Sequence, residues 1–172
     1  MAERTGECTF QGGPLTLIGP RLAVGQAAPD FTLLANNMAP VGLGDSAGKV
    51  RLISAVPSLD TPVCDMEVRR FNEELGKLGD GVVGLTISSD LPFAQARWCG
   101  AAGVKNVQSL SDHKEMSFGD AYGTHIKELR LESRAVFVVD KSGKLTHVEY
   151  VKEVADHPNY DAAIAAVKAA LA

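Results

Sequence analysis

The stretch from Lys49 to Val68 most constrains what this chain can fold into. Leu52-Ile53-Ser54-Ala55-Val56 is an apolar run expected of a buried central strand. Pro57 ends it. Thr61 is a suitable N-cap and Pro62 fits the first position of a helix. Val68, Phe71, Leu75 and Leu78 then repeat at helical spacing on one face, with Gly79 as the expected stop. This is a strand, a tight turn and a helix, and it places Cys64 in the helix's first turn. Unpaired N–H groups and the helix dipole favour negative charge there, so a thiol at this point is well placed to become a thiolate nucleophile.

The same alternation continues. Val82–Ile87 and Val107–Leu110 read as buried strands, and a helix opens at Leu91-Pro92 and runs to about Ala102, with Gly103 after it. A short helix is expected over Glu115–Tyr122. Ala135–Val139 is almost wholly apolar, Lys141–Lys144 makes a turn, and Leu145–Val151 is its hairpin partner. The last helix puts Tyr160, Ile164, Val167 and Leu171 on one face. Before the first core strand, Thr9–Leu17 reads as a hairpin turning at Gly12-Gly13-Pro14. Phe31–Leu34 is a short strand, and Asn36-Asn37 and Gly42–Gly48 are loops. Alternating strands and helices imply an α/β protein with a mainly parallel sheet covered on both faces, to which the closing hairpin adds antiparallel strands. In such sheets ligands bind beyond the carboxyl ends of the strands, where Cys64 lies.

The 172 residues suit one domain spanning 1–172. A net charge of −4 with scattered basic residues, of which only Arg69-Arg70 adjoin, gives no surface for nucleic acid or an anionic membrane. No apolar run approaches the roughly 20 residues that span a bilayer. The polar Met1–Glu7 has no secretory h-region, so a cytoplasmic location is expected. Three cysteines in such a chain point to a transient redox bond, a metal site or inert thiols. No CxxC, GxSxG or GxGxxG occurs. Gly44–Val50 is one residue short of a P-loop and lacks its Ser/Thr. His113, His125, His147 and His157 have no ligand spacing, so neither a metal nor a cofactor is expected.

A thiol at a helix start is also compatible with a buried structural cysteine. Asp65, next to Cys64, disfavours a thiolate, so a cation must compensate. Arg134, opening the apolar strand, can serve if neighbouring strands bring their ends together; periodicity alone makes it an ordinary strand-end charge. Trp98-Cys99-Gly100-Ala101 is equally compatible with a core thiol.

Pro57, Thr61 and Cys64 match the PxxxTxxC signature of the peroxiredoxins. The longer string Pro57–Cys64 resembles the bacterial thiol peroxidase subfamily of atypical two-cysteine peroxiredoxins. So do the N-terminal hairpin, Gly25–Phe31, Phe71-Asn72-Glu73, Arg97-Trp98-Cys99 and Arg134-Ala135-Val136. The resemblance runs from about Thr9 to Leu171. It implies a thioredoxin-like three-layer sandwich with a mixed central sheet, flanking helices and an N-terminal β-hairpin. It also implies a peroxidase acting on hydrogen peroxide and alkyl or lipid hydroperoxides. Cys64 would attack the peroxide and become a sulfenic acid. Thr61 would place its hydroxyl near sulfur and peroxide, Pro57 would shield the sulfur, and Arg134 would stabilise the thiolate and polarise the peroxide. Cys99 would resolve the sulfenic acid as an intramolecular Cys64–Cys99 disulfide, which thioredoxin would reduce. A homodimer is implied too.

Arg69, five residues after Cys64, is not the cysteine of the subfamily that resolves within that helix. Cys8 has no role in the family and reads as a bystander. Phe93 is a candidate for an apolar entrance. The alternatives are a redox sensor or relay using the same cysteine pair, a peroxiredoxin with another resolving thiol, and a scaffold with inert thiols. A disulfide needs Cα atoms within about 7 Å, so the two sulfurs are expected apart when reduced, with local rearrangement around each on oxidation.

Overall fold

The computed structural model describes residues 1–172. Its centre is a seven-stranded sheet in the order β11-β10-β5-β6-β7-β3-β4. The strands are β3 (Thr32–Leu34), β4 (Pro40–Gly42), β5 (Val50–Ala55), β6 (Val82–Ser88), β7 (Val107–Ser111), β10 (Ala135–Val139) and β11 (Leu145–Tyr150). β5, β6 and β7 run parallel, joined by α1 (Pro62–Gly76) and α2 (Pro92–Ala102). β10 is antiparallel to both β5 and β11, so the sheet is mixed.

Every residue of β5 and β10 is buried, Arg51 and Ser54 of β5 included, and side-chain alternation sends the two halves to different layers. Val50 and Leu52 of β5 and Val136 and Val138 of β10 meet Phe71 and Leu75 of α1. On the same side lie Tyr160, Ala163, Ile164 and Val167 of α4 (Tyr160–Leu171). Ile53, Ala55, Ala135, Phe137 and Val139 meet Phe118 and Tyr122 of α3 (Ser117–Tyr122) on the other side. Helices thus cover both faces.

A second, four-stranded antiparallel sheet joins β1 (Glu3–Phe10), β2 (Gly13–Ile18), β8 (His125–Ile126) and β9 (Leu131–Glu132). β8 and β9 were not expected, because two-residue strands carry no readable periodicity; pairing with β2 creates them. The hairpin starts at Glu3 instead of Thr9. Within the expected loops, Leu43–Ser46 forms a 3-10 turn held by Asp45. α1 ends at Gly76, before Gly79. A Cβ at Gly76 would meet the Asn106 amide at 2.7 Å, so the loop ahead of β7 packs directly on the helix end. α2 ends as expected, at Gly103 in a left-handed conformation (φ 67°).

Candidate active site

β5 delivers the chain to the site and Pro57, buried, stops it. The turn that follows is tied down by a residue the sequence reading missed. Asp90, just ahead of α2, accepts from Ser58 Oγ and the Leu59 N–H at 2.8 Å each. Its Oδ2 also accepts from Ser88 Oγ at 2.8 Å. The path from β5 into α1 is therefore fixed from the neighbouring β6–α2 connection.

Thr61 occupies the N-cap position of α1, but its side chain makes no cap hydrogen bond. Its Oγ1 lies 2.7 Å from Cys64 Sγ and 3.0 Å from the Ser58 carbonyl. One hydroxyl proton serves one acceptor at a time. With an anionic sulfur it points to Cys64; with a thiol it can turn to Ser58. The expectation of a capping Thr61 gives way to a Thr61 that faces the sulfur.

Cys64, the third residue of α1, is fully buried. Its sulfur also accepts from Arg134 Nη2 at 3.3 Å. The antiparallel β5–β10 pairing puts Ala55 opposite Ala135, which brings Arg134 to the end of β5 that leads to Cys64. Arg134 is buried at 1% exposure. Nε and Nη2 reach the Val154 carbonyl at 3.1 and 3.0 Å, and Nη1 reaches Glu67 Oε2 at 2.6 Å. Burial works against its charge, but Glu67 and Cys64 outweigh it and hold the guanidinium protonated.

Glu67 was also missed. It is buried three residues after Cys64, on the face that carries Val68 and Phe71. Burial pushes its carboxyl up to about 7 despite Arg134. The available signal was an ionisable residue on an otherwise apolar helix stripe, which needs a cation; the Val154 carbonyl left no such trace.

Asp65, expected to disfavour a thiolate at Cys64, has both its oxygens taken by other partners. It turns from the sulfur, accepting from Arg69 Nε at 2.9 Å and from Trp98 Nε1 at 3.0 Å. Cys99 is a free, partly exposed thiol on α2, 3.2 Å from Ser109 Oγ. Ser109 Oγ in turn donates to Asn36 Oδ1 at 3.0 Å. The structure therefore groups Pro57, Thr61, Cys64 and Arg134 and leaves Cys99 on the next helix, with the thiols of Cys64 and Cys99 unbonded.

A cavity of about 390 Å³ opens beside Cys64. Pro57, Thr61 and Arg134 line it together with Phe10, Leu129 and Leu131. Phe93 is not among its lining residues; it projects from α2, 67% exposed.

A caged thiol at the end of a central strand in a thioredoxin-like sheet defines a class, and comparison agrees. The Redoxin family profile matches residues 23–164, and the chain belongs to that family. More particularly, it is 58% identical to the thiol peroxidase of Bacillus subtilis over 95% of this chain and 97% of that protein. It is equally identical to that of Halalkalibacterium halodurans, over 95% and 98%. A peroxiredoxin-like protein from Aquifex aeolicus superposes with a TM-score of 0.89 at 38% identity, over 96% of both chains. These relatives set the chain among the bacterial thiol peroxidases.

Proposed function

We propose that Cys64 is the peroxidatic cysteine of a thiol-dependent peroxidase, with Cys99 as resolving cysteine. The observation that carries this reading is the sulfur itself: fully buried, it accepts from Thr61 and Arg134 beside an apolar cavity. The Cys64 thiolate displaces at the near peroxide oxygen. The O–O bond breaks, an S–O bond forms, and the departing oxygen takes a proton to leave as alcohol or water. Charge builds on that departing oxygen, and preorganised donors are the largest expected aid to such a step. Arg134 and Thr61 are the donors, Pro57 walls the sulfur from water, and Glu67 holds Arg134 in place. Cys99 then attacks the sulfenic acid, forming the Cys64–Cys99 disulfide and releasing water. A thioredoxin-type dithiol reduces it.

The almost wholly apolar wall of the cavity supports alkyl hydroperoxides as substrates alongside hydrogen peroxide. Close relationship to thiol peroxidases favours turnover over a relay role. We also propose one domain over 1–172, since both sheets draw strands from early and late in the chain. A cytoplasmic location agrees with three free thiols, and no helix is long and apolar enough to cross a membrane. A homodimer is supported by Phe10 and Leu129, each 46% exposed at the cavity; a strict monomer in sedimentation at micromolar concentration contradicts it.

The test is steady-state peroxide consumption with thioredoxin and thioredoxin reductase. Turnover in the parent and none in Cys64→Ser supports the assignment. Stoichiometric oxidation without turnover favours the relay.

A further inference from the structure

The two cysteine-bearing helices are joined by their cysteines' immediate neighbours. Trp98, next to Cys99, donates its indole N–H to Asp65, next to Cys64, at 3.0 Å. The other Asp65 oxygen accepts from Arg69 at 2.9 Å. The Arg69 guanidinium lies 5.7 Å from the Trp98 ring centroid, and its Nη1 is 3.4 Å from the Ala102 carbonyl at the end of α2. The Trp98 ring packs on the cluster formed by Val56, Leu59, Cys64 and Val68.

Adjacent residues on an α-helix point about 100° apart. While Asp65 and Trp98 face each other, Cys64 and Cys99 are turned elsewhere. Cys64 faces Thr61 and Arg134, and Cys99 faces Ser109. A disulfide requires the two cysteines to face each other instead.

We infer that Asp65, Trp98 and Arg69 form a latch between α1 and α2 whose opening precedes disulfide formation and sets the lifetime of the Cys64 sulfenic acid. They are positioning residues, and none of them hydrogen-bonds either cysteine sulfur. The inference rests on the two-cysteine reading above. With the latch closed, the sulfenic acid stays in the peroxide cavity, where a second peroxide can oxidise it to sulfinic acid. With the latch open, α1's first turn and the Cys99 segment can move. The Cys99 thiol then attacks the Cys64 sulfur, an S–S bond replaces S–OH, and the hydroxyl leaves as water with the thiol's proton. The rate of resolution is the fraction of open latch multiplied by the rate of S–S bond formation in the open form, so weakening the latch speeds resolution and spares Cys64 from a second oxidation.

Trp98→Phe deletes the indole N–H and keeps an aromatic ring. Asp65→Ala removes the acceptor from the other helix, and Asp65→Asn keeps an acceptor but drops the charge. Each full-length reduced protein is mixed with hydrogen peroxide, quenched with alkylating agent over milliseconds to seconds, and weighed. The first oxidation should stay within about twofold of the parent in all three. Disulfide formation should be about tenfold faster in Trp98→Phe and Asp65→Ala, the factor expected for one charge-assisted hydrogen bond, and less accelerated in Asp65→Asn. The peroxide concentration giving half sulfinic acid should rise by the same factor. Unchanged or slower disulfide formation, or a parallel loss in the first step, overturns the latch. Cys99→Ser separates the two claims. If it accumulates Cys64 sulfenic acid while the latch variants leave the partition unchanged, only the latch is wrong. If it accumulates none, the two-cysteine scheme fails and the latch with it.

Discussion

Cys64 and Cys8 are both buried, at 0% and 1% exposure, yet their surroundings are opposite. Cys8 sits in β1 among Leu17, Ile126 and Val154. Burial, with Glu153 and Glu128 acting the same way, pushes its thiol up to about 11. Cys64 sits in a helix's first turn with a hydroxyl and a guanidinium on its sulfur. Low solvent access alone therefore does not say what a cysteine sulfur meets. What separates them is polar contact: two donors reach the Cys64 sulfur, whereas Cys8 is packed among apolar side chains. The cage also explains how a buried arginine is tolerated beside the thiol: Glu67 and the Val154 carbonyl take three of the donors that Cys64 does not use.

The contrast breaks most sharply at Arg134. Arg134→Met should slow reaction of Cys64 with peroxide by about 10²–10³-fold. Because it leaves Glu67 buried without its cation, it should also lower stability by about 3–5 kcal/mol. Stopped-flow oxidation and urea unfolding read the two effects separately, and Arg134→Met with Glu67→Gln should recover stability but not rate. Thr61→Val, which leaves the hydroxyl's place apolar, should slow the same step by about a hundredfold, with Thr61→Ser close to the parent. Equal rates in Thr61→Val and Thr61→Ser would remove the hydroxyl from the account.

Glu67 sharpens the comparison through pH. Its folded value, about 7, lies above the ordinary 4.5. The folded state therefore holds this proton more tightly, and the associated stability is full at acid pH and lost as pH rises toward and through 7. Relative to Glu67→Gln, the parent should lose on the order of 3 kcal/mol between pH 4.5 and 7.5. Parallel stability–pH curves for the two proteins contradict the assignment. At the small end, Cys8→Ala should leave peroxide reactivity within about twofold and reduce stability by about 1–2 kcal/mol. A larger rate effect would mean that the apolar pocket is not inert.

Much of the site was legible because its chemistry is local in sequence. Pro57, Thr61, Pro62 and Cys64 lie on one strand–turn–helix, and turn and capping preferences place them without tertiary information. The core strands were equally readable from apolar runs such as Leu52–Val56 and Ala135–Val139. Periodicity could not supply what depends on distant partners. Thr61 reads as a cap, but nearness to the sulfur claims its hydroxyl. Asp65 reads as a hostile charge, yet Arg69 and Trp98 take both its oxygens. Asp90 and Glu67 were missed because each acts on a segment that folding brings alongside. β8 and β9 exist only through the strands they pair with.

The most direct test of the central claim is peptide mapping after one equivalent of peroxide is added to the reduced protein and quenched within a second. The account predicts oxidation confined to Cys64, joined to Cys99 in the parent and held as a sulfenic acid in Cys99→Ser, with Cys8 still a thiol. Oxidised Cys8, or oxidation that proceeds as fast in Arg134→Met as in the parent, would contradict it.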